Sequence, residues 1–193
     1  MSPYSLSIRE GRICVTPLNS QQLLIFNSEQ KLKKRIPLPG RMEPRHAAET
    51  DHKTVIVLHW GRRKNTNMFQ IGEFDSTGNQ VKVFSGPDDL NDFPHMNLDV
   101  DGRVLVVDSW NCRVILLNKD LQLERTLVEH LQLERTLVEH LQLERTLVEH
   151  LDNNPYRLCY VERTGRLYVG ESGESVKVYD ISYPPSTENH VQK

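Results

Sequence analysis

Residues 102–118 read GRVLVVDSWNCRVILLN, and this stretch decides the fold class. Residues 104–107 form a continuous apolar run, rich in β-branched side chains and too short for a helix. Such a run predicts a strand that is buried on both faces. Four polar or aromatic residues, 108–111, interrupt the run, and a second strand-like stretch follows at 113–117, apolar after Arg113. The stretch therefore predicts two strands of a sheet that needs an apolar neighbour on each side.

The flanking residues extend this pair to four strands. Upstream, Met96, Leu98 and Val100 alternate with polar residues, which is the period-2 pattern of a strand. Asp101-Gly102 then supplies the positive φ angles of a two-residue hairpin. Downstream, residues 118–120 form a turn into a further segment at 121–127. Four short antiparallel strands are predicted within about forty residues.

The same unit recurs along the chain. The glycine-arginine step that opens the second strand reappears at Gly11-Arg12 and Gly165-Arg166, and a degenerate copy occupies 52–57. A proline precedes each unit, and these prolines stand 41, 50 and 61 residues apart. The last interval holds two surplus copies of a decamer, and 61 minus 20 restores 41. A period near forty with four strands per repeat is typical of β-propeller blades. The prolines are Pro3, Pro44, Pro94 and Pro155.

The pattern G-R-x-x-V-x-D-x-x-N-x-R-V resembles the NHL repeat, above all that of tripartite-motif (TRIM) NHL proteins and their invertebrate relatives. Three blades depart from it, because Pro17, His59 and Glu171 stand where Asp108 stands in the third blade. The resemblance covers roughly residues 1–180 and implies a recognition module; some TRIM-NHL relatives bind RNA stem-loops. The residues that carry the match are Gly102, Arg103, Val106, Asp108, Asn111, Arg113 and Val114.

We therefore predict an all-β chain, a partial or small β-propeller of about four four-stranded NHL-type blades. The propeller region is residues 1–180, and residues 181–193 form a polar C-terminal tail. The fourth blade has three strands. Three arrangements remain open: four blades that close by themselves, a fragment of a longer propeller, and a ring completed by two chains. The predicted blades span 3–39, 42–86, 93–130 and 155–180.

Residues 121–150 are three identical copies of LQLERTLVEH. The first copy continues from Asn118 as the fourth strand of the third blade. The other two have no strand position in the blade, and their apolar stripe drifts around a helix because ten residues fall short of three turns. They predict a helical or disordered protrusion, with a coiled-coil oligomerisation arm as the alternative.

Composition sets the broad class. Lys and Arg number 24 against 26 Asp and Glu, so no strong overall field attracts or repels nucleic acid. The chain is 37% hydrophobic, and its three cysteines, an odd count, suit a reducing compartment. No segment resembles a signal peptide or a membrane span. These features predict a cytoplasmic protein.

One face of the propeller carries the predicted binding rim. The turn before the first strand of each blade and the loop between its second and third strands open on the same face. An insertion in that loop of the second blade, at 59–67, adds basic residues that the repeat does not require. Basic and aromatic side chains interleaved on a rim suit a protein partner, and also single-stranded RNA. The rim candidates are Trp60, Arg62, Arg63, Lys64, Arg45, His46, His95, Trp110, Arg113, Tyr156 and Arg157.

Structural roles compete with function at several of these positions. Arg113 and Asn111 belong to the repeat pattern and are expected to hydrogen-bond between strands, whereas Arg62, Arg63 and Lys64 are the best functional candidates. We predict a non-catalytic module that binds a protein, with RNA binding as the alternative. Any ubiquitin-ligase activity would require a RING domain that this chain lacks.

A metal-dependent lyase or hydrolase is the remote alternative, because other propeller families hold a metal in the central channel. The polar residues available on the first strands are few, the sequence has no Cys-His zinc spacing, and no nucleophile-base set can be assembled. We predict no enzyme activity, no cofactor and no metal. The available residues are His46, Glu49, His95, Asn97 and Asp99.

Overall fold

The computed structural model describes residues 3–40, 42–63, 66–84, 90, 95–129, 151, 154–172 and 175–180. Within these ranges the chain is all-β, with one short 3-10 turn at Glu162–Thr164. The strands form four antiparallel sheets, arranged as the blades of a β-propeller, which confirms the predicted fold class. The described residues include no helix long and apolar enough to cross a membrane.

Each blade is a meander in which strands adjacent in sequence are hydrogen-bonded neighbours. Blade 1 contains β1 (Pro3–Arg9), β2 (Arg12–Pro17), β3 (Gln22–Phe26) and β4 (Leu32–Pro37). Blade 2 contains β5 (Glu43–Glu49), β6 (Val55–Arg63), β7 (Thr66–Phe74) and β8 (Gln80–Val83). Blade 3 contains β9 (His95–Leu98), β10 (Val104–Asp108), β11 (Arg113–Leu117) and β12 (Leu123–Glu129). Blade 4 contains β13 (Pro155–Val161), β14 (Arg166–Glu171) and β15 (Val176–Asp180).

The stretch that decided the fold forms β10 and β11, and every residue of β10 is buried. The turn before it differs from the prediction. Only Gly102 has a positive φ, at 76°, and the amide of Gly102 donates to the carbonyl of Asp99. The amide of Asp99 in turn donates to the carbonyl of Arg103, so three residues separate the paired positions. The connection is therefore a hairpin with a three-residue loop. Gly102 is left-handed, whereas Asp101 keeps an ordinary φ.

The insertion in blade 2 takes a different form from the predicted loop. β6 and β7 each run for nine residues, against five or six in the corresponding strands of the other blades. The inserted residues therefore lengthen two paired strands, because Trp60, Gly61 and Arg62 pair with residues on β7. In the longer hairpin, the backbone groups of the inserted residues form hydrogen bonds that they would lack in an open loop.

The first decamer supplies β12, as the sequence predicted. The surplus decamers lie outside the described residues, and so does the tail from residue 181. Leu151 is buried against blades 3 and 4, in the position that Leu38 occupies after β4 in blade 1. A buried leucine therefore precedes the first strand of blade 4, as a buried leucine follows the last strand of blade 1.

The hydrophobic core lies between adjacent blades, in three clusters. Alternate residues of a strand point to opposite faces of the sheet, so blades 2 and 3 each pack one face on the blade before and the other on the blade after. The cluster between blades 1 and 2 includes Leu23, Ile25 and Phe74. The cluster between blades 2 and 3 is centred on Leu58, Ile71, Met96 and Val106, and that between blades 3 and 4 on Leu105, Val107, Leu116, Leu158 and Leu167.

Candidate functional site

The innermost strands place one residue from each blade at the same position. In each blade this residue pairs, across the first two strands, with the residue that comes directly after the central apolar residue of the second strand. The four residues at this position are Ser5, His46, His95 and Arg157. We call these four residues the axial set. Because the four positions are equivalent in register, their side chains converge on one end of the channel between the blades. They line a single cavity of about 90 Å³, together with Tyr4, Arg45 and Phe69.

Three consecutive members of the axial set touch one another. Ser5 Oγ and His46 Nδ1 are hydrogen-bonded, and the rings of His46 and His95 lie 4.6 Å apart between centroids. Burial lowers the pKa of His46 to about 3, with smaller contributions from His95 and from the positive charge of Arg157. Burial also lowers the pKa of His95 to about 4, and Arg157 acts in the same direction. Both imidazoles are therefore neutral at physiological pH, and each has a donor and an acceptor nitrogen.

Two arginines provide the positive charge of the cavity. The guanidinium of Arg45 lies 5.1 Å from the centroid of the Tyr4 ring and donates to Glu43 at 3.1 Å. Arg157 donates to the carbonyl of Tyr156 at 2.9 Å, and its guanidinium lies 4.8 Å from that ring. No carboxylate among the described residues pairs with Arg157. The cavity therefore combines a cation that lacks a counter-ion within the described chain with two neutral imidazoles.

The structure brings four of the predicted rim residues into this cavity, whereas Trp60, Trp110 and Arg113 do not line it. Trp60 is half-buried and packs edge-on against Phe69, with ring centroids 4.7 Å apart. Trp110 projects from blade 3 with 66% of its surface exposed. The residues brought together are Arg45, His46, His95 and Arg157.

Arg113 has the structural contacts that its place in the repeat suggested. Its Nε donates to Asp108 at 2.9 Å, and the Asn111 side chain donates to the same carboxylate at 2.8 Å. Asp108 is fully buried, so these donors satisfy a charge that is removed from water.

Other rim candidates stay predictions. The backbone of Arg62 and Arg63 ends β6, but their side chains lie outside the described residues, as does the whole of Lys64. Tyr156 is 45% exposed and stacks with Arg157 next to the cavity.

Sequence reasoning missed Ser5 and Phe69 as members of the site. Ser5 lies two residues after Pro3, as His46 lies two residues after Pro44. Aligning the blades on their prolines could therefore have found Ser5. No comparable signal marks Phe69, which reaches the cavity from the lengthened strand β7.

The carboxylates considered as metal ligands are engaged elsewhere. Glu49 pairs with Arg12 at 2.6 Å, and Asp99 pairs with Arg103 at 2.8 Å. Among the described residues, no group of three or more His, Cys, Asp or Glu side chains is placed to hold a metal ion.

Comparison with known proteins supports the fold. No family model matches the chain, and no curated protein matches it. A solved streptogramin B lyase matches at 11% identity and a TM-score of 0.51, over 93% of this chain and 55% of that one. Virginiamycin B lyase from Staphylococcus aureus matches at 13% identity and a TM-score of 0.51, over 95% of this chain and 57% of that one.

The chain thus spans about half the length of the solved structures that it matches. At such low identity the likeness shows the propeller fold and leaves function open. The finer assignment to NHL repeats of the TRIM type stays a prediction.

Proposed function

We propose that this chain is a recognition module that binds a protein partner by holding an acidic group of that partner in the cavity of the axial set. The observation that carries the proposal is Arg157, a cation beside two neutral imidazoles with no carboxylate partner in the described chain. A carboxylate that enters the cavity would accept charge-assisted hydrogen bonds, which are about twice as strong as neutral ones.

The electrostatics of the cavity favour an anion. Arg157 lowers the pKa of both His46 and His95, so its field extends across the cavity. Arg45 adds a second guanidinium, held in place by Tyr4 and Glu43. The size of the cavity, about 90 Å³, suits a carboxylate group rather than a nucleobase. An acidic side chain or a chain terminus of a protein fits these limits, in keeping with the resemblance to NHL recognition modules.

RNA is the second candidate, and exposed Trp110 favours it because a base can stack on an accessible indole. The other aromatic and basic rim residues give less support. Trp60 packs on Phe69, and Arg113 is paired with Asp108, so neither side chain is free for a ligand. RNA is therefore the weaker proposal.

The test measures binding of a fluorescein-labelled hexaglutamate peptide by anisotropy, with hexaglutamine as the uncharged control peptide. Arg157→Gln should weaken binding of hexaglutamate about tenfold or more, since a hydrogen bond to a charged group contributes about 1.5–3 kcal/mol. Arg163→Gln is the matched control, because Arg163 is exposed in blade 4 and lies in the 3-10 turn away from the cavity. Added salt should weaken binding.

Equal binding of both peptides, or equal losses in the two arginine variants, would overturn the proposal. A single-stranded RNA oligonucleotide that binds more tightly than the peptide, with a loss in Trp110→Ala, would favour RNA instead.

A further inference from the structure

A second cavity lies along the same channel as the axial set. Alternate residues of a strand share one face of the sheet, so the residue two positions after each axial residue also points toward the channel. All four residues at this position line one cavity of about 450 Å³, and we call them the second tier. The second tier consists of Ser7, Ala48, Asn97 and Cys159.

The two cavities differ in volume because the side chains of the two tiers differ in size. Two imidazoles and a guanidinium occupy most of the space at the axial set, where about 90 Å³ remains. The second tier has small side chains at the equivalent positions, and about 450 Å³ remains between them. Sites for small molecules have volumes of about 300–1,000 Å³, so the second cavity has room for an organic ligand.

Every charged side chain that lines the second cavity is paired within the chain. Arg9 pairs with Asp51, which also lines the cavity, at 3.1 Å and donates to the carbonyl of Asp99 at 2.9 Å. Glu10, the other charged residue of the lining, pairs with Arg12 at 3.1 Å. Burying an ion that lacks a partner is costly, so these walls favour a neutral ligand.

The rest of the lining is neutral and largely apolar. Ile8 and Val100 are 72% and 52% exposed, and they line the cavity together with the buried side chains of Ala48 and Leu98. Apolar side chains left accessible in a cavity provide surface that an apolar ligand can cover. The side-chain amide of Asn97 has no hydrogen-bond partner among the described residues, and it offers one carbonyl acceptor and two N–H donors.

We propose that the second cavity binds a neutral small molecule that has an apolar body and one N–H or hydroxyl group. The body packs on the apolar side chains of Ile8, Val100 and Leu98, and the polar group donates to the side-chain carbonyl of Asn97. This ligand chemistry is the opposite of that at the axial set, where Arg157 favours an anion. The proposal is therefore independent of the acidic group proposed for the axial cavity.

Alkylation of a native thiol tests the location of the ligand. N-phenyl-1-naphthylamine, a neutral dye with one N–H group that becomes fluorescent in apolar surroundings, should bind the unmodified chain in a saturable one-to-one titration. N-ethylmaleimide places a bulky group on exposed Cys159, as mass spectrometry would confirm, and should abolish this binding. Cys159→Ser is the matched control, because it keeps Cys14 and Cys112 and should bind the dye equally before and after the treatment. No binding of the dye, or binding that survives alkylation of Cys159, would overturn the proposal.

A charged analogue of the dye tests the preference for a neutral ligand. 8-Anilinonaphthalene-1-sulfonate has the same rings and an added sulfonate. Its binding at the second cavity is measured as the part that alkylation of Cys159 removes. This binding should be at least tenfold weaker than that of the neutral dye, because Arg9 is already paired with Asp51. Equal affinities for the two dyes would show that the cavity does not select a neutral ligand.

The hydrogen bond to Asn97 is tested with 1-benzylnaphthalene, which has a methylene group where the dye has its N–H. In competition with the dye, this compound should bind the unmodified chain about two- to tenfold more weakly, because one neutral hydrogen bond is lost. Asn97→Leu should bind the two compounds equally. A preference for the N–H compound that persists in Asn97→Leu would contradict the role of Asn97.

One variant separates the second cavity from the axial set. Arg157→Gln should leave binding of the neutral dye unchanged, because Arg157 lines the axial cavity and not this one. Failure of hexaglutamate to bind would therefore overturn the proposal for the axial set alone. Loss of dye binding in Arg157→Gln would contradict a separate second site.

Discussion

Interior and terminal blades use their side chains differently. Blade 3 is covered on both sides, every residue of β10 is buried, and its buried Asp108 is held by Arg113 and Asn111. Blade 1 has Pro17 in place of that aspartate and leaves Leu6 and Ile8 exposed. The comparison indicates that the middle blades contribute most of the stability, whereas the terminal blades leave apolar side chains exposed to solvent. It also explains why the residues that best match the repeat pattern have structural contacts.

The strongest test of this difference is Asp108→Ala. Removing the carboxylate leaves the guanidinium of Arg113, 16% exposed, and the Asn111 amide without their shared partner. Breaking a buried pair in this way costs about 3–5 kcal/mol of unfolding free energy. Urea unfolding followed by circular dichroism measures the loss. Asp101→Ala is the control within the same blade, because Asp101 also pairs with an arginine but is half exposed. Similar losses in both variants would contradict a special role for Asp108.

Leucine truncations compare covered and uncovered faces directly. Leu105 is fully buried between blades 3 and 4, so Leu105→Ala should cost about 3 kcal/mol through lost burial and a residual cavity. Leu6→Ala should cost far less in a single chain, because the side chain is already more than half exposed. Both are measured by urea unfolding. Equal losses in the two variants would contradict the comparison.

The interior of the stack was more predictable than its edges for a physical reason. The apolar run at 104–107 could only be a doubly buried strand, and the repeated glycine-arginine step fixed the blade period. Proximity across blades depends on register instead, so the contact of Ser5 with His46 follows from the sequence only when the blades are aligned on their prolines. The insertion in blade 2 was placed correctly along the chain, but its polar composition hid the fact that it lengthens β6 and β7.

Interior burial also makes stability depend on pH. His59 takes the place of Asp108 in blade 2, is 2% exposed, and lies 6.2 Å from Phe74 between ring centroids. Burial lowers the pKa of His59 to about 4, so its neutral form is favoured in the folded state. Its contribution to stability is complete above the unfolded pKa, about 6.5, and is lost progressively as the pH falls toward 4.

The variant His59→Leu tests this dependence. Relative to the unmodified chain, the variant should gain about 1 kcal/mol of unfolding free energy between pH 6.5 and pH 5.5. Urea unfolding at the two pH values measures the difference. His52→Leu provides the control, because His52 is exposed in a turn of the same blade. Parallel pH dependence of His59→Leu and the unmodified chain would show that His59 is not the titrating group.

The smallest effect is expected at the terminal blade. Arg166 and Asp180 form an ion pair at 2.9 Å on blade 4, with both side chains half or more exposed. Exposed pairs of this kind contribute little, so Asp180→Ala should leave the melting temperature within experimental error. A melting temperature that falls as far as that of Asp108→Ala would show that terminal and interior ion pairs are equivalent.

The shared register of the axial set makes the site modular. Each blade contributes one side chain from its own innermost strand, so a substitution in one blade changes one side of the cavity and leaves the backbone of the other blades in place. Substitutions can therefore change the ligand preference of the cavity one blade at a time. A designer could make the cavity acidic at Arg157 and keep the histidine pair intact.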